Sequence, residues 1–259
     1  MPTASRTALV TGASSGLGAE FCRQLAAAGW GLVIVARNAA RLETTADELR
    51  TAHQIDVDVL PADLATDDGC ARVAERLTAT EAPVELLVNN AGIGTYQPFS
   101  EAELTFEEQQ LDLNVRAVLR LTHAAVGAMR ARGAGRVLNV SSVAGFMPRP
   151  GNVTYSASKA WVTMFSEALS LQLAGTGVTV TAVCPGFTHT EFHERAAADM
   201  SGVPQRMWLE ARDVVREGLA DTFVGKPVSV PSRVYKTLVG AAQTLPRPVL
   251  RAIMARRGM

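Results

Sequence analysis

The sequence predicts an α/β fold in which helices cover both faces of one parallel sheet. Three observations carry that expectation. Short runs rich in β-branched residues alternate with longer helical stretches, the first run passes into a cluster of glycines, and no repeat, linker or low-complexity segment breaks the alternation. Strand–helix–strand units join by right-handed crossovers, so successive strands lie parallel with helices above and below them.

The elements follow in order. Thr7–Thr11 is apolar and ends at Gly12, as suits a buried parallel strand. Leu17 to Ala28 reads as a helix stopped by Gly29, and Gly31–Ala36 as the second strand. Asn38 is placed to cap a helix that runs to about His53. Asp56–Leu60 and Val84–Val88 supply the third and fourth strands, and a long helix spans about Glu107 to Arg132. Arg136–Val140, a helix from about Thr154 to Ala174, and Val178–Val183 complete the alternation. Ligands in such sheets sit beyond the carboxyl ends of the strands, so the residues at those ends are the candidate site.

Bulk properties narrow the function. The 259 residues are 47% hydrophobic, enough for one domain spanning 1–259 with a substantial core. Lys plus Arg and Asp plus Glu number 25 each, so the total charge gives no reason to expect nucleic acid. Cys22, Cys70 and Cys184 form no CxxC pair and no Cys/His cluster, which argues against a disulfide frame or a metal site. Buried thiols in a reducing compartment are expected. Glycines interrupt the apolar start too early for a signal-peptide core, and no run of about 18 apolar residues exists to span a membrane. The expected location is cytoplasmic.

The first strand runs into Thr11-Gly-Ala-Ser-Ser-Gly-Leu-Gly18. Without Cβ atoms at Gly12, Gly16 and Gly18, the backbone can turn tightly and approach a pyrophosphate at the start of the next helix. The second strand ends Val35-Ala36-Arg37, with no carboxylate to hold the ribose hydroxyls of NAD. Arg37 instead offers a cationic fork for the 2′-phosphate of NADP, and Ser14 can add a hydroxyl. NADP(H) is therefore favoured over NAD(H), with Glu43 and Asp47 as rival partners for Arg37.

At this point the chain resembles the short-chain dehydrogenase/reductase family. The resemblance rests on the glycine loop, Asn89-Asn-Ala-Gly92, Asn114, Ser142, Tyr155-Ser-Ala-Ser-Lys159 and Pro185-Gly186, in that order. It implies a Rossmann-type doubly wound sheet of about seven strands, the last at Pro227–Val230. It implies a cofactor site of Gly12, Ser14, Ser15, Gly16, Leu17 and Gly18, then Arg37, Asp63 and Leu64, with Asp63 near the adenine amino group. Asn90, Ala91, Gly92, Pro185, Gly186, Thr188 and Thr190 belong to that site too, and Tyr155 and Lys159 serve both cofactor and chemistry.

Tyr155 and Lys159 are four apart, hence on one helical face. A free phenol titrates near pH 10, and a nearby ammonium is expected to lower that value. Ser142 is expected to hold the substrate carbonyl oxygen, Ser141 being the rival, and Asn114 to order a water beside the lysine. The reaction expected is hydride transfer between a carbonyl and an alcohol, with Tyr155 as acid/base. The alternative is a cofactor-binding regulator or sensor on the same fold. His189 and His193 are four apart, but nothing completes a metal site.

The segment of about 187–212 reads as a substrate lid. Phe187, Phe192, Met200, Met207 and Trp208, with Tyr96, Phe146 and Met147, are candidates to line a cavity for a small apolar carbonyl or alcohol. Beyond Asp221 no acidic residue occurs, whereas lysines and arginines interleave with apolar residues over about 231–259. This basic amphipathic tail, broken by Pro246 and Pro248, suits its own domain, a partner subunit, or peripheral contact with an anionic membrane. A homodimer or homotetramer is expected, with Leu111, Val115, Leu119, Phe165 and Leu169 needing cover.

Overall fold

The computed structural model describes residues 6–192, 196 and 202–257, the side chains of 256 and 257 excepted. Seven strands form one sheet: β1 (Thr7–Thr11), β2 (Gly31–Ala36), β3 (Val57–Pro61), β4 (Val84–Asn89), β5 (Gly135–Val140), β6 (Val178–Val183) and β7 (Val228–Ser229). All pairings are parallel, in the order β3-β2-β1-β4-β5-β6-β7. The order reverses between β1 and β4, which opens a crevice above their carboxyl ends.

The helices are α1 (Gly16–Ala27), α2 (Ala39–His53), α3 (Asp67–Thr78), α4 (Leu104–Leu111), α5 (Ala117–Arg132), α6 (Val153–Gln172), α7 (Ala211–Phe223), α8 (Arg233–Thr244) and α9 (Arg247–Arg257). Because successive strand side chains point to opposite faces, the apolar runs feed two cores. Val10 and Ile34 join Phe21, Leu25, Trp30 and Leu42 on one face. Leu9 and Val35 join Val73, Leu77, Leu121 and Met129 on the other. Burial on both faces is what the unbroken Val/Leu/Ile strands require. The cysteines are buried and free, and burial pushes the Cys22 and Cys184 thiols up to about 12.

The structure adds to the sequence expectation, departs from it and bears it out at different places. Helix α3 lies between β3 and β4, capped by Thr66, whose hydroxyl accepts from Gly69 N–H at 3.1 Å. The single helix expected from Glu107 to Arg132 is α4 and α5 joined by a π-helical turn at Asp112–Arg116. The prolines break the tail as expected, since α8 ends at Thr244 and α9 starts afresh at Arg247. Pro246 precedes α9 and Pro248 sits in its first turn, where a missing N–H costs nothing. Tyr235, Val239, Leu250 and Met254 of α8 and α9 are buried, so the tail packs on its own domain, while Val234, Leu238, Leu245, Val249 and Ile253 stay exposed. Among the described residues no helix is long and apolar enough to cross a membrane.

Candidate active site

The loop after β1 closes on itself. Gly12 and Gly16 have φ of +66° and +54°, a region that disfavours L side chains. A Cβ on Gly18 would lie 2.0 Å from the Gly12 carbonyl oxygen. The segment after β4 clamps this loop. Asn90 Nδ2 donates to the Thr11 carbonyl at 2.9 Å, while Thr11 Oγ1 accepts from the Asn90 and Ala91 N–H groups, each at 3.0 Å. Asn89 is buried and donates to Thr122 and Asn139, tying β4 to α5 and β5. Ser15 opens α1 without a side-chain cap, so the positive end of the helix dipole meets the cleft.

A cleft of about 690 Å³ runs over these strand ends. Gly12, Ser14, Ser15, Gly16 and Leu17 line it with Asp63, Leu64, Asn90, Ala91 and Gly92. Pro185, Gly186, Thr188 and Thr190 line it from the β6 side. Thr190 packs over Gly16, where a Cβ would meet it at 3.3 Å. Gly186 has no room for a side chain, since a Cβ would fall 2.0 Å from the Tyr235 ring. Asp63 Oδ1 accepts from Ala65 N–H at 3.0 Å and so shapes its own turn. Gly18 stands behind the cleft wall.

At the end of β2, Ala36 pairs with Pro61 and Arg37 follows, exposed. The rival carboxylates are occupied: Glu43 and Asp47 lie 3.8 Å and 3.0 Å from the Arg50 guanidinium. Among the described residues Arg37 makes no ion pair. Asn38 caps α2, accepting from Arg41 N–H at 3.0 Å. Arg41, which the sequence reading missed, lines the same end of the cleft and reaches across it to Glu191 at 3.3 Å. Its four-residue spacing from Arg37 was the available signal.

Ser142, Tyr155 and Lys159 converge at the far end, in the wall of the same cleft. Ser142 follows β5 and caps a 3₁₀ turn, accepting from Ala144 N–H at 3.1 Å. Its hydroxyl opposes the upward push on the Tyr155 phenol. Both serines border the cleft, but the Ser141 hydroxyl is buried and donates to the Lys159 carbonyl at 2.7 Å, which leaves Ser142 the better placed of the two. The Tyr155 ring packs against Phe192 with centroids 5.5 Å apart.

Electrostatics at Tyr155 differ from the expectation. Burial pushes the phenol above its ordinary value and the Ser142 hydroxyl opposes that push; Tyr96 adds to it, and Arg149 opposes it. Lys159 does not aim at the hydroxyl. Its Nζ donates to the Val140 carbonyl at 2.9 Å and lies 5.6 Å from the centre of the Tyr155 ring. Burial lowers the Lys159 ammonium to about 8. Burial therefore favours the protonated form of the Tyr155 phenol.

Asn114 is buried in the π turn, outside the cleft wall. Its Nδ2 donates to the Ile93 carbonyl at 2.8 Å and its Oδ1 accepts from Ile93 N–H at 3.0 Å. The side chain thus holds the segment after Gly92 in place. π turns of this kind re-aim single residues at functional sites.

Only part of the expected apolar lining reaches the cleft. Tyr96, Phe187 and Phe192 do. Phe146 and Met207 pack instead with Cys184, Val230 and Tyr235, and Met147 with Ala242, Leu250 and Met254. Trp208 stacks on His189 at 4.7 Å. Met200 and His193 lie outside the described residues. Among the described residues no cluster of three metal-ligating side chains forms. Arg149, not foreseen, lines this end.

Comparison with known proteins places these features in a group. The family model for short chain dehydrogenases matches residues 6–201. Sulfoacetaldehyde reductase 2 of Chromohalobacter salexigens is 38% identical over 186 residues, covering 71% of this chain and 73% of that protein. Acetoacetyl-CoA reductase of Allochromatium vinosum is 33% identical over 219 residues, covering 81% and 88%. A short-chain dehydrogenase from Sphingobium yanoikuyae, solved with NADPH, superposes with a TM-score of 0.84 at 34% identity, covering 92% and 94%.

Proposed function

The chain belongs to the short-chain dehydrogenase family and is an NAD(P)-dependent oxidoreductase; on that premise we propose that it reduces a ketone or aldehyde with NADPH, Tyr155 giving the proton. The observation that carries this reading is the convergence of Ser142, Tyr155 and Lys159 in one wall of a cleft whose other end is the glycine loop. The fit to a dinucleotide rests on that loop, where a Cβ at Gly12 would meet Ala91 at 3.0 Å and one at Gly16 would meet Thr190.

The nicotinamide cofactor, when bound, supplies the hydride. The chain's own residues do the rest. Gly12, Ser14, Ser15, Gly16 and Leu17 would hold the diphosphate, with Gly18 packed behind them, Asp63 and Leu64 the adenine, and Asn90 to Gly92 the adjoining ribose. Lys159 and Tyr155 would hold the nicotinamide ribose, and Pro185, Gly186, Thr188 and Thr190 would border the carboxamide. Ser142 holds the substrate carbonyl oxygen and stabilises the charge that grows there. Tyr155 donates its phenolic proton to that oxygen, and its raised value keeps the proton available at neutral pH. Alcohol oxidation reverses the step. Arg37, joined by Arg41, pairs with the 2′-phosphate, and the absence of a carboxylate at Ala36 removes the repulsion an NAD enzyme would show.

Exposed Leu111, Leu119, Met164 and Leu171 on α4 to α6 are the faces we assign to a homodimer or homotetramer. Of the other expected contacts, Phe165 stacks on Trp161 at 4.7 Å and Leu169 packs on the core. A lid of about 187–212 and a cytoplasmic setting belong to the same proposal. A panel of ketones and aldehydes, followed by nicotinamide absorbance with both cofactors, tests it. NADPH-dependent reduction is expected, and absence of turnover with every carbonyl, or equal use of NADH, would overturn it.

A further inference from the structure

We propose that Arg149 recognises an anionic group on the substrate, so that the enzyme takes carbonyl compounds bearing a carboxylate or sulfonate near the C=O. This rests on the reading of the cleft as a carbonyl-reducing site. Arg149 lies between the 3₁₀ turn that carries Ser142 and helix α6 that carries Tyr155. It shares the cleft wall with Tyr155, Tyr96 and Phe187. Its guanidinium stands over the Phe187 ring, 5.3 Å from the centroid. A cation–π contact of this kind uses none of the guanidinium's N–H donors, which stay available to an anion.

Two further features point to a ligand. Arg149 is flanked by Pro148 and Pro150, which fix the backbone on both sides and reduce the entropy lost in holding the side chain. Among the described residues it pairs with no carboxylate, although it is half-buried. A partly desolvated cation without a counter-ion is costly, and an incoming anion removes that cost. Its charge is felt at Tyr96, Tyr155 and Tyr235, three phenols on three different segments. The cofactor's own phosphates are provided for elsewhere, at the glycine loop and by Arg37 and Arg41.

The test uses the enzyme saturated with NADP⁺ and titrates 4-oxopentanoate, the matching keto sulfonate and the methyl ester of the acid by calorimetry. Wild type, Arg149→Met and Arg149→Lys are compared. A charge-assisted contact corresponds to about tenfold to a hundredfold in affinity. At least one anion should bind wild type about tenfold or more tighter than the ester, and which anion does so separates carboxylate from sulfonate recognition. Arg149→Met should bring the anion-to-ester ratio close to one, and Arg149→Lys should restore part of it. Equal binding of anion and ester by wild type, or a ratio unchanged in Arg149→Met, would overturn the proposal. Turnover separates the two readings: reduction of the ester as efficiently as the acid sinks only the role of Arg149, whereas reduction of no carbonyl at all sinks the carbonyl-reductase reading along with it.

Discussion

At the glycine-loop end of the cleft, position is set by backbone. Gly12, Gly16 and Gly18 are required by φ angles and close approaches, and Asn90 locks the loop through main-chain atoms. At the Tyr155 end, position is set by side chains from distant segments. Ser142 comes from the turn after β5, Tyr155 and Lys159 from α6, Phe187 from beyond β6, and Tyr96 from beyond β4. In the proposed reading the first end is a receptor for a group of fixed shape. The second is an environment, in which burial and a few hydrogen bonds decide which proton moves.

If this contrast holds, substitutions at the two ends should fail in different ways. The largest effect among four comparisons belongs to Ser142→Ala. Loss of one donor to a developing oxyanion costs about 10²–10³ in turnover. Steady-state kinetics should show that loss in kcat, with the NADPH dissociation constant little changed. Arg37→Ala should do the reverse. It should weaken NADPH by about tenfold to a hundredfold in a fluorescence titration, leave NADH almost unaffected, and preserve kcat at saturation. Equal losses for both cofactors would show that Arg37 does not read the 2′-phosphate.

Asn90→Ala tests the clamp. Removing a part-buried amide that bonds two main-chain carbonyls is expected to cost about 1–3 kcal/mol, seen as a lower Tm. An unchanged Tm would mean that the loop holds itself. Lys159 gives the smallest and most specific effect. Its folded value of about 8 lies below the unfolded value of about 10.4. Between these the unfolded chain binds more protons, so stability from this group rises with pH across that window. Below about 8 the full cost of burying the ammonium remains. In melts of the cofactor-free protein, the Tm of wild type relative to Lys159→Met should therefore climb from pH 7.5 to pH 10. A flat difference would contradict the burial of a charged Lys159.

The same contrast explains what could be read in the sequence. β1, the glycine loop and β6 were legible because glycine and β-branched runs have few other uses, and Asn38 as a cap follows from its side chain alone. Helix α3 was not, because only Cys70, Val73 and Leu77 mark its buried stripe and Gly69 in its first turn reads as a loop. That glycine is forced by the Asp63 carbonyl, 2.0 Å from where a Cβ would lie. The π turn was hidden because one extra residue in a helix leaves the local composition unchanged. Phe146, Met147 and Met207 looked equally suited to core or cavity, and only the tertiary packing of α8 and α9 assigns them to the core. Arg149 was invisible for the same reason, since its neighbours in space are remote in sequence.

The account depends most directly on Tyr155. Turnover at saturating NADPH and the NADPH dissociation constant should be measured together on wild type and Tyr155→Phe, with any carbonyl the enzyme reduces. The ring and its packing against Phe192 remain in the variant, and only the hydroxyl with its proton is lost. The account predicts a fall in turnover of about 10²–10⁴-fold with affinity for NADPH kept within about threefold. Turnover near that of wild type would contradict it.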